Sequence, residues 1–150
     1  MKKLVYKTLI NSTKENIWKN IIKKDSYSQW VKAFSPNSQF EGEWKEGAEV
    51  KFFDNDMGGT VARLDTFKPH DRIVATHIAT LTKEKIMETT GPMTEKWIGT
   101  KEIYELETVN NQTELRILME THIDFEEMFN GSWPKALENI KNLSEEKKEN

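Results

Sequence analysis

The stretch Phe40-Glu41-Gly42-Glu43-Trp44-Lys45-Glu46-Gly47-Ala48-Glu49-Val50-Lys51-Phe52-Phe53 decides the fold class. Phe40, Gly42 and Trp44 fall on one face of an extended chain and Glu41 and Glu43 on the other. Val50 and Phe52 resume the alternation beyond Gly47. The pattern predicts a β-hairpin with one dry face. Gly42, between two inward aromatics, is expected to mark a bend or a notch where a helix or ligand approaches.

A second strand pair fixes a register. Ile98, Thr100, Glu102, Tyr104 and Leu106 share one face of a strand, and Thr113, Leu115, Ile117, Met119, Thr121 and Ile123 share one face of the next. Asn110-Asn111 tolerates the positive φ of a two-residue hairpin turn. That turn sets Leu106 opposite Leu115, Tyr104 opposite Ile117, Glu102 opposite Met119 and Thr100 opposite Thr121. A three-residue loop would set apolar faces against charged ones, so burial selects the first register.

Around these pairs lie a strand over Lys3–Asn11 and a helix opened by a capping box of Ser12 and Glu15, carrying Ile17, Trp18, Ile21 and Ile22. A short helix with Tyr27, Trp30, Val31 and Phe34 follows and stops at Pro36. Strands are expected over Thr60–Phe67 and Arg72–Leu81, separated by Lys68-Pro69-His70-Asp71. Thr82–Lys96 reads as a long loop, a candidate flap. Trp133, Ala136, Leu137, Ile140 and Leu143 form one apolar stripe of a final helix, with Ser132 as its cap and Pro134 in its first turn. The expected class is α+β: a curved antiparallel sheet of about seven strands wrapped around a long C-terminal helix, in a single domain over 1–150 whose charged end frays from about 145.

Composition excludes several functions. A net charge of -3 gives no electrostatic attraction for nucleic acid, and the absence of cysteine excludes thiol chemistry and thiolate-held metals. The basic start Met1-Lys2-Lys3 is interrupted by Lys7 and Asn11 before an apolar run of signal-peptide length accumulates, and no run approaches the roughly twenty apolar residues of a membrane span. No membrane insertion and a cytoplasmic location are expected. Asp54-Asn55-Asp56 ahead of Gly58-Gly59 lacks the ligand series of a calcium loop and reads as a turn. His70 and His122 join no ligand spacing, so no metal and no cofactor are expected.

The element order, the helix start Ser12-Thr13-Lys14-Glu15-Asn16-Ile17-Trp18, Trp30, the Phe40-x-Gly42-x-Trp44-x-x-Gly47 hairpin, Pro69 and the Trp133–Leu143 helix resemble the SRPBCC superfamily (START-like, birch-pollen-allergen-like). Within it the chain is most similar to the branch of homologues of the activator of the heat-shock chaperone ATPase. The resemblance implies a helix-grip fold and a cavity that in relatives holds lipids, polyketides, hormones or other apolar molecules. Where relatives often carry an aromatic residue near the end of the strand after the Pro-containing turn, this chain has His77.

Two residues carry candidate chemistry. Glu102 shares a face with apolar neighbours, so its carboxyl points inward, where an ionised carboxylate is costly unless paired or protonated. It is a polar ligand anchor or a general acid, or else a structural carboxylate satisfied by Thr121, by water or by a bulge that turns it outward. His77 shares a face with Ile73, Ala75 and Leu81, and is a ligand contact, an acid-base group or a satisfied core residue. The candidate ligand-binding set is Trp30, Phe34, Phe52, His77, Thr100, Glu102, Tyr104, Met119, Thr121, Trp133 and Leu137.

The sequence contains no recognisable catalytic motif. The leading expectation is a module that holds a small apolar or amphipathic ligand, lipid-, polyketide- or aromatic-like, between sheet and helix. The alternatives are a cyclase- or dehydratase-like enzyme moving protons through Glu102 and His77, and a chaperone-associated interaction domain.

Overall fold

Alternating strands joined by short turns pair with their sequence neighbours, and the computed structural model, which describes residues 1–146, shows this outcome. The order is β1 (Lys2–Ile10), α1 (Lys14–Ile22), α2 (Lys24–Trp30), a 3-10 turn (Val31–Ala33), β2 (Gln39–Glu41), β3 (Glu49–Asp54), β4 (Gly58–Lys68), β5 (Arg72–Leu81) and β6 (Met87–Glu88). Then come α3 (Pro92–Trp97), β7 (Lys101–Val109), β8 (Gln112–Thr121), a second 3-10 turn (Ile123–Phe125) and α4 (Glu126–Glu145). The strands form one antiparallel eight-stranded sheet in the order β1-β8-β7-β5-β4-β3-β2, with the two-residue β6 beside β5. The α+β helix-grip architecture is present, with one more short strand than the sequence signals.

The turn at Asn110 and Asn111 has φ of 48° and 68°, the left-handed pair that a type I′ hairpin requires. It produces the register read from the sequence: Leu106 faces Leu115, Tyr104 faces Ile117 and Glu102 faces Met119. The β7–β8 ladder ends at Lys101 and Glu120, so Thr100 does not continue it to Thr121. Thr100 instead donates to the Trp97 carbonyl at 2.6 Å.

Two β-bulges reset the faces of the central strands. Val61 pairs with Ala79 and Ala62 with His77, so Ile78 is the extra residue on β5. Ile73, Ala75 and His77 therefore face inward, while Leu81 moves to the convex face with Phe53, Val61 and Ala79. The expectation that Leu81 shares a face with His77 fails for this reason. Asp65 is the extra residue at the second shift, on β4.

Gly42 is exposed with φ +128°, and β2 stops at Glu41. A Cβ there would approach the Glu49 carbonyl oxygen to 2.9 Å. The residue is required for the chain to leave the sheet beside β3, and it forms no inward notch. Trp44 nevertheless folds back half-buried, its ring 5.4 Å from Phe40 and 5.7 Å from Phe52.

The helices differ from expectation at their ends. Thr13, not Ser12, caps α1, its Oγ1 accepting from Asn16 N at 3.1 Å. α4 starts at Glu126, so Pro134 lies inside it and Ser132 is no cap. Glu126 and Glu127 supply the negative charge that a helix N-terminus favours. α4 packs against β1, α1 and α2, with Ala136, Leu137 and Ile140 buried in the main core. The expected frayed end falls largely outside the described residues.

Candidate functional site

A cavity of about 660 Å³ opens between the concave face of the sheet and the first half of α4. Its walls come from five directions. α2 and the turn after it give Tyr27, Trp30 and Phe34, and β3 and β4 give Phe52, Asp54, Gly59 and Thr60. β5 and β7 give His77, Thr80, Glu102 and Tyr104. Met93, Thr94 and Trp97 come from α3, and Met128, Phe129 and Trp133 from α4.

Of the residues singled out from sequence, Trp30, Phe34, Phe52, His77, Glu102, Tyr104 and Trp133 border this space. Thr100, Met119, Thr121 and Leu137 do not: all four are buried in packed interior. Met119 and Leu137 have the same strand or helix periodicity as the lining residues but lie in the packed main core, while Thr100 is turned onto the Trp97 carbonyl.

The aromatic walls are continuous. Trp30 stacks on Trp133 with centroids 6.0 Å apart, and Tyr27 meets Trp30 edge-to-face at 5.1 Å. Tyr104 meets Trp133 at 5.9 Å and Phe34 meets it at 5.0 Å. On the opposite side Trp97 stacks on Phe125 at 4.5 Å and lies 5.5 Å from the His77 ring. Such edge and offset contacts hold rings in place and leave an apolar lining.

Glu102 is the principal polar group in this lining. It keeps some accessible surface, which borders the cavity and not the exterior. Removal from bulk water raises its pKa to about 7, with the Tyr104 hydroxyl acting in the other direction. Tyr27 and Tyr104 are shifted upward, first by their own burial and then by the Glu102 charge, and Ser38 opposes this at Tyr27. Among the described residues no Lys, Arg or His forms an ion pair with Glu102.

His77 is buried, and burial lowers its pKa to about 4. Its Nδ1 has no hydrogen-bond partner among the described residues, and neither does Trp133 Nε1. Across the strands Glu102 pairs with Ala75, while the His77 N–H donates to the Thr100 carbonyl at 2.9 Å. The two side chains thus stand one inward step apart on neighbouring strands, and no hydrogen bond joins them. At the rim Asp54 accepts from Ser35 Oγ at 2.6 Å and from Asp56 N at 2.7 Å, which lowers its pKa.

Sequence reasoning missed the wall contributed by α3. Thr94 is buried and its hydroxyl lies 2.6 Å from that of Thr80, which ties the segment to β5. The only advance signal was Gly91-Pro92, a proline placed to start a helix. No group of three metal-ligating side chains occurs among the described residues.

No protein-family model matches the chain, and no curated protein matches it. Solved structures do. Aha1 from Colwellia psychrerythraea, determined as a dimer in solution, superposes with a TM-score of 0.73 at 25% identity over 97% of each chain. CalU16 from Micromonospora echinospora gives 0.68 at 11% identity, covering 95% of this chain and 76% of that one. DynU16, from the dynemicin biosynthetic locus, gives 0.71 at 12% identity over 95% of this chain and 46% of its own. These neighbours are consistent with the SRPBCC resemblance read from the sequence. Among the described residues no helix is long and apolar enough to cross a membrane.

Proposed function

We propose that this chain is an SRPBCC-type binding module that holds a small apolar or amphipathic molecule, lipid-, polyketide- or aromatic-like, between its sheet and α4. The observation that carries this reading is the cavity of about 660 Å³ walled by Tyr27, Trp30, Phe34, Phe52, Trp97 and Trp133. The volume lies within the range of sites for drug-sized ligands, and an apolar lining with few polar groups is their usual composition. The neighbouring folds support a ligand-binding module in general.

Titration with N-phenyl-1-naphthylamine, a neutral apolar fluorophore, tests the reading. The expected result is saturable fluorescence enhancement at one molecule per chain, abolished by Thr60→Trp, which fills the cavity from β4. Enhancement that persists unchanged in a folded T60W protein would place the dye elsewhere and remove the proposal.

A second reading is a proton-transfer enzyme of the cyclase or dehydratase kind. It is favoured by Glu102, whose pKa of about 7 suits a group that both accepts and donates a proton near neutrality. Glu102→Gln separates the two readings. It leaves dye binding intact in both, and abolishes turnover of a bound substrate only in the second.

A further inference from the structure

The charges of the cavity lining are one-sided. Asp54, Glu88 and Glu102 border the space, and among the described residues neither Lys nor Arg does. His77 does not compensate, because burial keeps its imidazole neutral down to about pH 4. The three carboxyls also differ in what surrounds them. Asp54 is satisfied at the rim by Ser35 and Asp56, whereas Glu102 lies at the aromatic end with no countercharge among the described residues.

Around Glu102 the rings of Tyr27, Trp30, Trp133 and Tyr104 follow one another at centroid separations of 5.1, 6.0 and 5.9 Å. A carboxylate beside successive electron-rich rings is the arrangement that attracts an organic cation, because the ring quadrupoles and the carboxylate act in the same direction. An anionic head group meets the opposite field throughout. A fatty-acid-like ligand would have to bring its carboxylate past Asp54 and Glu88 or against Glu102, with no basic side chain among the described residues of the lining to receive it.

Resting on the reading of this cavity as a ligand site, we propose that its occupant is a cationic amphiphile, an apolar amine or ammonium whose charge sits against Glu102 and whose body lies along the Trp30 and Trp133 walls. The cation supplies the countercharge that Glu102 lacks among the described residues. Binding then relieves the unfavourable burial of that carboxylate, so affinity and charge selectivity come from the same contact.

Displacement of N-phenyl-1-naphthylamine by decylamine, decan-1-ol and decanoate at pH 8 tests the assignment, since the three share a chain and differ in head-group charge. Decylamine is expected to compete about tenfold more strongly than decan-1-ol, the scale of one charge-assisted contact, and decanoate least of all. Glu102→Gln should remove the preference for the amine, and a cooperative urea transition of the variant shows independently that it is folded. Equal competition by amine and alcohol, strongest competition by decanoate, or an amine preference that survives E102Q would overturn the cationic assignment while leaving the cavity a ligand site. Failure of the dye itself to bind would instead overturn the ligand site and this assignment together.

Discussion

The two ends of the interior are built from the same repeating pattern and behave differently. At the end closed by α1, inward residues of β1, β7 and β8 meet Ile17, Trp18, Ile21, Ala136 and Ile140, and Leu115 and Ile117 are fully buried. At the end bounded by α2, α3 and the start of α4, inward residues of β3, β5 and β7 border open space. Strand alternation is equally regular at both. The difference lies in what stands opposite: the second half of α4 descends onto the sheet with small and branched side chains, while the first half carries Phe129 and Trp133 and is held off by other aromatics. A filled end anchors the fold, so the hollow end is free to carry an uncompensated carboxylate.

Truncation at the filled end should have the largest effect. Leu115→Ala removes a side chain with no accessible surface from close-packed neighbours, and is expected to cost about 2–5 kcal/mol in urea unfolding. A loss below about 1 kcal/mol would show that this end is not the anchor.

Glu102→Gln should sharpen the contrast in the opposite direction, because it removes a burden and not a support. The carboxyl titrates near its ordinary 4.5 when unfolded and at about 7 when folded, so the folded state holds the proton more tightly. The protein is therefore least penalised below pH 4.5, and stability falls as pH rises from 4.5 to 7. The amide imitates the protonated acid. E102Q should equal the parent at pH 4 and exceed it by about 3 kcal/mol at pH 8, the equivalent of the shift. His77 acts with the other sign: its pKa of about 4 means stability is full above pH 6.5 and declines as pH falls toward 4. Urea titrations of both proteins at pH 4, 6 and 8 check the signs, and equal stability at pH 8 would show that Glu102 is not buried as a charge.

Smaller effects bracket these two. Thr13→Ala removes the cap of α1 at the filled end and should cost about 1 kcal/mol. Met93→Ala, at an exposed position on the cavity rim, should change stability by less than about 0.5 kcal/mol. A larger loss at Met93 than at Thr13 would mean that α3 is packed more tightly than the cavity implies.

The same contrast sets what the sequence could disclose. The β7–β8 register was legible because period-2 alternation and Asn110-Asn111 agree, and an odd loop would have buried charges. The face of Leu81 was not, since the bulge at Ile78 leaves no mark in composition. α3 was hidden in a polar stretch too short for a helical stripe to emerge, and Pro134 disguised the true start of α4 by imitating a first-turn proline. Glu102 stood out as a carboxyl on an apolar face. Met119, Thr121 and Leu137 could not be told from Tyr104 and Trp133, because residues lining a space and residues filling one share a periodicity. Only the opposing surface separates them.

The five tryptophans report directly on that opposing surface. Trp30, Trp97 and Trp133 border the cavity, while Trp18 and Trp44 do not. Indole N–H resonances of ¹⁵N-labelled protein, followed during titration with N-phenyl-1-naphthylamine, should move for Trp30, Trp97 and Trp133 and remain fixed for Trp18 and Trp44. Movement confined to Trp18 and Trp44, or none while the dye is bound, would contradict a ligand site at the hollow end.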